Sequence, residues 1–398
     1  MEEKDPPEES KPKDMLTVLI KTACGVAILL AVLFCGVFGY IAWSKSKYRR
    51  LTNTHDLAQR IQEYGNDYLS KRPHAGLIIG VIQQDRTETY SFGKLGQKIS
   101  KAPDSDTVFE IGSITKVLTA LTTQRLVDQG ELNWEGTVRD SMPPAIELAP
   151  VFSEMTLAQL ATHHSGLPKI PDNLELESID VQNPYQGYGT NDLNVFLASY
   201  KPSNAPGRKM AYSNLGFSLL GYVCELAAGK PYSEAVDELV FQPLRMTNTT
   251  FHVPTSENTA IPHDTEGKEV PHWDWQVIGG AGAFKSTAAD MLKFLAANLH
   301  PTNTPIAEAL VECQKERARS LVGDMGYGWN LTSTLQGELD FTWHNGGTGG
   351  FVSFIGLDQK HTNAVVMLSN SGDAMKGDFY IDTLAMEILK LAAKISLH

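Results

Sequence analysis

Cysteine is scarce in this chain, with four in 398 residues. That is too few for a disulfide-stapled scaffold. Cys24 and Cys35 fall in an apolar N-terminal run and Cys224 in an apolar helical pattern, while Cys313 has no Cys or His at metal-ligand spacing. All four read as buried free thiols. A basic excess is missing too. The net charge is −12, and phosphate binding needs a basic face, so no nucleic-acid partner is expected. The first fifty residues hold eight Lys/Arg and six Asp/Glu, which places the acidic excess in the remaining chain. Internal repeats are absent, and the apolar and charged fractions, 42% and 20%, are those of a globular protein.

Long hydrophobic runs are lacking as well, with one exception. Residues 1–21 begin Pro-, Glu- and Lys-rich and read as a disordered tail. Thr22 to Trp43 then carries no charge over 22 residues. At a helical rise this spans about 30 Å of hydrocarbon, and Tyr40 and Trp43 stand where aromatic rings favour the interface. No A-x-A-like site follows it, so an uncleaved transmembrane anchor is expected rather than a signal peptide. Four lysines precede the span and four Lys/Arg follow it closely, so charge does not settle its orientation. A linker over 44–54 and one domain over 55–398 complete the division.

Within that domain, "AGLIIGVIQQ" and "TETYSFGKLG" read as two strands joined by a polar turn at Asp85-Arg86. The stretch from about 117 to 300 is mostly helical in pattern. Short β segments return at "GYGWNL", "LDFTWHN", "FVSFIGLD" and "NAVVMLSN", and a helix, "FYIDTLAMEILKLAAKI", follows. Strands at both ends predict an α/β (α+β) fold. Its antiparallel sheet is flanked by helices, and the helical region is inserted between the sheet-forming ends.

Chemistry is sought first in "FEIGSITKVLTA". Ser-x-x-Lys occurs four times, at Ser10/Lys13, Ser44/Lys47, Ser91/Lys94 and Ser113/Lys116, so the spacing alone says little. Only Ser113 precedes a helical pattern, formed by Ile114, Val117, Leu118 and Leu121. There Lys116 lies one turn along the same face, and the positive helix end favours a developing negative charge. Burial or a second cation would make Lys116 a base. A capping Ser beside a solvated Lys is the alternative that this segment leaves open.

Two later stretches bear on the choice. "AYSNLGF" sets Tyr212, a possible proton relay, two residues from Asn214, whose amide can hold a carbonyl or an ammonium. "FTWHNGGTGGF" sets His344 in a strand ahead of Gly346 and Gly347, which permit close approach of a substrate backbone. The ordered set "SITK", "YSN" and "HNG" resembles the serine β-lactamase and penicillin-binding-protein superfamily, nearest its class C-like branch. "LATHHSGLP", "PGRKMAYSNLGFSLLG", "FQPLRMTNTTF", "GAFKSTAADMLKFL" and "GYGWNL" agree, so the resemblance spans about 75–395.

This resemblance implies Ser113 as the acylated nucleophile, Lys116 as its partner and Tyr212 as the proton-transferring residue. Asn214, His344, Gly346 and Gly347 would contact substrate, and the N–H groups of Ser113 and Gly347 would form the oxyanion hole. It implies no metal or organic cofactor, and a catalytic domain outside the cytoplasm. The third motif departs from the family's usual Lys-Thr-Gly. A His there is mostly neutral near pH 7, which predicts slow β-lactam turnover and better activity on esters, amides or small peptides. A receptor or sensor acylated without turnover is the competing expectation. His163-His164 reads as a loop turn rather than a metal site, the run Glu175, Glu177 and Asp180 as a solvated loop, and Asn248 and Asn330 as glycosylation sequons.

Overall fold

Seven antiparallel strands, in the order β2-β1-β9-β8-β7-β6-β5, form the main sheet of the computed structural model, which describes residues 57–174, 183–319, 323–333 and 339–396. The tail, anchor and linker expected over 1–54 lie outside the described residues, as does the acidic run. Among the described residues no helix is long and apolar enough to cross a membrane.

Helix α1 (Leu57–Lys71) leads into the hairpin of β1 (Gly76–Gln83) and β2 (Arg86–Gly93). Gln83 pairs with Arg86, so the turn is Gln84-Asp85, one residue earlier than the sequence suggested, with Gln84 left-handed at φ 55°. β1 then pairs with β9 (Asn363–Ser369), which pairs with β8 (Val352–Asp358), and β8 with β7 (Asp340–Gly347). Both ends of the domain therefore build one sheet, as the returning β pattern predicted. "GYGWNL" is not one strand: it spans the bend between β5 (Asp324–Met325) and β6 (Asn330–Ser333), where Gly328 is left-handed at φ 74°.

Every residue of β8 and β9 is buried, which requires cover on both faces of the sheet. Helix α4 (Ala288–Leu299) and helix α5 (Tyr380–Ser396) supply it together with α1. The strand sequences are accordingly near-continuous apolar runs, "VSFIGLD" and "NAVVMLS".

Helix α2 (Thr115–Asp128) is the hub of the inserted region, with 11 of its 14 residues buried. Several of these are threonines. Thr119, Thr122 and Thr123 donate to carbonyls one turn back at 2.9–3.0 Å, which satisfies the hydroxyls inside the core. Helix α3 (Asn214–Ala228) packs against α2. Ser213 caps its start by accepting from Gly216 N–H at 2.9 Å, and left-handed Gly229 ends it. At Gly221, α3 meets the turn Gly279–Ala281; a Cβ there would sit 3.0 Å from Gly280 Cα, so a side chain would push that turn away. A small second sheet pairs β3 (Val108–Glu110) with β4 (Lys285–Thr287).

Candidate active site

The nucleophile candidate stands where β3 turns into α2. Ser113 is the middle residue of a 3₁₀ turn, Gly112–Ile114, so it precedes α2 rather than lying within it. Gly112 has φ 49°, and a Cβ on it would come within 2.6 Å of Gly347 N. Glycine is required there on both counts. The same closeness brings the N–H of Gly347, at the end of β7, against the turn that carries Ser113.

Lys116 Nζ lies 2.9 Å from Ser113 Oγ and donates to Ala281 O at 2.7 Å. The residue is fully buried. Burial holds its amine well below the usual lysine range, and the positive charge of Lys169 adds to the shift. A neutral amine fits these contacts, with an N–H for the carbonyl and a lone pair for the serine proton. Tyr212 flanks the pair, its ring 5.0 Å from Lys116 Nζ. Although 38% of its surface is open to the cleft, desolvation raises its phenol while the Ser113 hydroxyl partly opposes this. Tyr212 is therefore a protonated donor, not a phenolate.

Asn214, the first residue of α3, places Nδ2 3.3 Å from Tyr185 OH and leaves Oδ1 buried with no partner among the described residues. Tyr185 stacks on Trp275 at 4.3 Å and meets Trp273 edge-on at 5.3 Å. Glu110 in β3 fixes the tryptophan loop, accepting from His272 Nδ1 at 2.8 Å and Trp273 N–H at 3.0 Å. The resulting cleft, about 450 Å³, is lined by Ser113, Tyr212 and Asn214, by these aromatics, and by Asn345, Gly346 and Gly347 of β7.

His344 does not line it. Side chains alternate along β7, and where Asn345 faces the cleft His344 turns inward to 1% exposure. Its Nδ1–H donates to Asn345 O. Burial, with Lys116 adding to it, pushes the imidazole down to about 3, so it is neutral across the physiological range. His163 is buried nearby, its Nδ1 accepting from Ser213 N–H at 3.1 Å, and burial holds it neutral as well.

Three features escaped the sequence reading. Lys169, in the loop after "SGLP", lines the cleft and is its only charged lining residue among the described residues. Asp382 in α5 accepts from Asn345 Nδ2 at 2.6 Å. Arg72 pairs with Asp373, and with Asp378 at 2.8 Å. That tether fixes the segment from which Ala374, Met375 and Phe379 reach the cleft. The residues of each contact are far apart in the chain, and none has a spacing that could have announced it.

A buried amine within hydrogen-bond reach of a serine hydroxyl, with a phenol beside it, is an arrangement that can activate a serine for acyl transfer. Residues 57–390 match the Beta-lactamase family, and the chain belongs to it. It is similar to the D-alanyl-D-alanine-carboxypeptidase/endopeptidase AmpH of Escherichia coli (strain K12), at 26% identity over 74% of this chain and 80% of the relative. A beta-lactamase of Pseudomonas fluorescens is 24% identical over 69% and 75% of the two chains. Among solved structures, a class C beta-lactamase superposes with a TM-score of 0.73 at 22% identity, covering 85% of this chain and 98% of its own.

Proposed function

We propose that this chain hydrolyses an amide or peptide bond through an acyl-Ser113 intermediate and turns over β-lactams slowly. The observation that carries the reading is the fully buried Lys116 amine, 2.9 Å from the Ser113 hydroxyl and 5.0 Å from the Tyr212 ring. Lys116 takes the serine proton as Oγ attacks the substrate carbonyl. The oxyanion forms against the N–H groups of Ser113 and Gly347. Tyr212 gives its proton to the leaving nitrogen and takes up the one that Lys116 received from Ser113. Water then attacks the ester by the reverse proton path and frees Ser113.

Asn214 supports the amide. A buried acceptor with no partner is costly until a donor arrives, and an amide or peptide substrate brings an N–H where a simple ester brings none. The similarity to a carboxypeptidase/endopeptidase agrees with that choice. Slow β-lactam turnover follows from His344, because a neutral, buried imidazole supplies no charge for the substrate carboxylate. The uncharged span from Thr22 to Trp43 would anchor the chain, with the hydrolase domain outside the cytoplasm.

The test compares kcat/KM for a D-Ala-D-Ala peptide, p-nitrophenyl acetate and nitrocefin, from about pH 5.5 to 8.5. The peptide should exceed nitrocefin. Nitrocefin turnover far above the other two, flat across that range, would overturn the substrate choice. For the anchor, full-length protein should resist a carbonate wash while a chain starting near Leu51 is soluble. Protease protection in sealed vesicles reads the sidedness.

A further inference from the structure

A second groove adjoins the catalytic cleft. It measures about 490 Å³, and Lys169 and Tyr212 line both. Its wall comes from two loops, Gly166 to Asp172 and Tyr200 to Tyr212, and among the described residues carries three lysines, Lys169, Lys201 and Lys209, against one carboxylate, Asp172. All three lysines are exposed, and among the described residues none of them makes an ion pair. Six other lysines among the described residues do make one. Lys71, Lys101, Lys230, Lys293, Lys315 and Lys390 each hold an Asp or Glu at 2.9 Å or closer. In a protein of net charge −12, three unpaired ammonium groups along one groove make a local field that attracts anions.

The catalytic cleft gives that field a use. Among the described residues Lys169 is its only charged lining residue, and the neutral His344 offers no counter-charge from β7. An anionic substrate seated at Ser113 therefore finds its opposite charge on the Lys169 side.

We propose that the Lys169–Lys201–Lys209 groove is a subsite for a carboxylate carried by the substrate away from the bond that Ser113 attacks, so that the enzyme selects anionic peptides. This rests on the amide-hydrolase reading above. Lys169 and Tyr212 belong to both linings, which sets the groove directly beside the cleft, where an extended substrate would enter it. Aromatic rings on the far wall, Tyr185, Trp273 and Trp275, leave the apolar parts of such a chain to the opposite side.

Binding to the full-length Ser113→Ala protein tests the subsite without turnover. The probes are the neutral N-acetyl-D-Ala-D-Ala amide, its N-succinyl analogue, and N-acetyl-D-Ala-D-Ala with a free C-terminal carboxylate. The N-succinyl probe, whose carboxylate lies away from the attacked bond, should bind tighter than the neutral one. That advantage should fall roughly 3- to 10-fold in a Lys201→Gln/Lys209→Gln variant, the loss expected for two exposed ion pairs. It should fall likewise with added salt and survive in Lys201→Arg/Lys209→Arg. Equal binding of all three probes, an N-succinyl probe no tighter than the neutral one, or an advantage that persists in the Gln variant overturns the subsite. Failure of the hydrolase reading shows elsewhere, as wild-type protein that binds these peptides but releases no product.

Discussion

At the floor of the cleft, Lys116 and His344 are sealed from water and held neutral by it. At its rim, Lys169, Met375 and Phe379 stand open to solvent. The two regions use charge in opposite ways. The floor lowers the proton affinity of a lysine by burying it, which costs stability and yields a base. The rim keeps lysines charged by leaving them wet, which costs little and yields attraction at a distance. On the proposed reading chemistry and selectivity fall to separate residues, and substitutions at the two levels should differ in kind.

The largest effect belongs to the floor. Ser113→Ala should abolish covalent labelling by a fluorophosphonate while thermal stability stays nearly unchanged, since only one hydroxyl is removed. Intact-mass measurement reads both the adduct and, in wild type, its decay. An adduct on the variant would place the nucleophile elsewhere. A wild-type adduct that never decays would mark a sensor rather than a hydrolase.

Next come Lys116 and Tyr212. Lys116→Met and Tyr212→Phe should each lower turnover by about 10²–10⁴-fold, the usual loss for a general acid or base. The double variant should fall short of the product of the two losses, because the groups act as a unit. Stability should move the other way for Lys116→Met. The folded-state pKa of Lys116 is depressed, so between that value and the ordinary one, about 10.4, the unfolded chain binds the extra proton. Wild-type stability therefore rises with pH across this window, and at neutral pH the buried amine is a burden. A higher Tm with almost no activity is expected for Lys116→Met. A lower Tm would mean the contact with Ala281 O outweighs the burial of the amine.

The same division decides what could be read from the sequence. The floor was legible because Ser113-x-x-Lys116 and Tyr212-x-Asn214 stand at helix starts in one order with "HNG", although neither spacing alone singled them out. Local spacing encodes local geometry. The sheet was legible for the same reason, from apolar runs at both ends of the domain. What holds the floor in place was not. Lys116 donates to a backbone carbonyl 165 residues away, which has no side-chain signature. His344 was expected at the substrate, yet strand alternation turns it inward and presents Asn345, a difference of one residue in register. The rim was least legible, since Lys169, Lys201 and Lys209 are ordinary loop lysines until two loops come together.

The smallest expected effect sits where floor and rim join. Asp382 in α5 accepts from Asn345 Nδ2, and Asn345 lines the cleft. Burial pushes the Asp382 carboxyl up to about 7, with the Asn345 hydrogen bond pulling the other way, and Oδ1 has no partner among the described residues. The unfolded chain releases this proton near pH 3.9. Between that pH and about 7 the native state therefore keeps a proton that the unfolded state has lost. The stability contribution of the group is fully present below about pH 4 and declines as pH rises towards 7. The ceiling is about 1.4 kcal/mol per pH unit, and partial exposure of Asp382 makes the real slope shallower. Asp382→Asn keeps an acceptor for Asn345 and removes the titration. The variant should match wild type near pH 4 and melt higher at pH 8, a gap that opens steadily between them. Parallel Tm-against-pH curves would show that Asp382 ionises freely in the native state. Asn345 would then be held by a carboxylate at neutral pH, and the join between the two levels would be ionic rather than neutral.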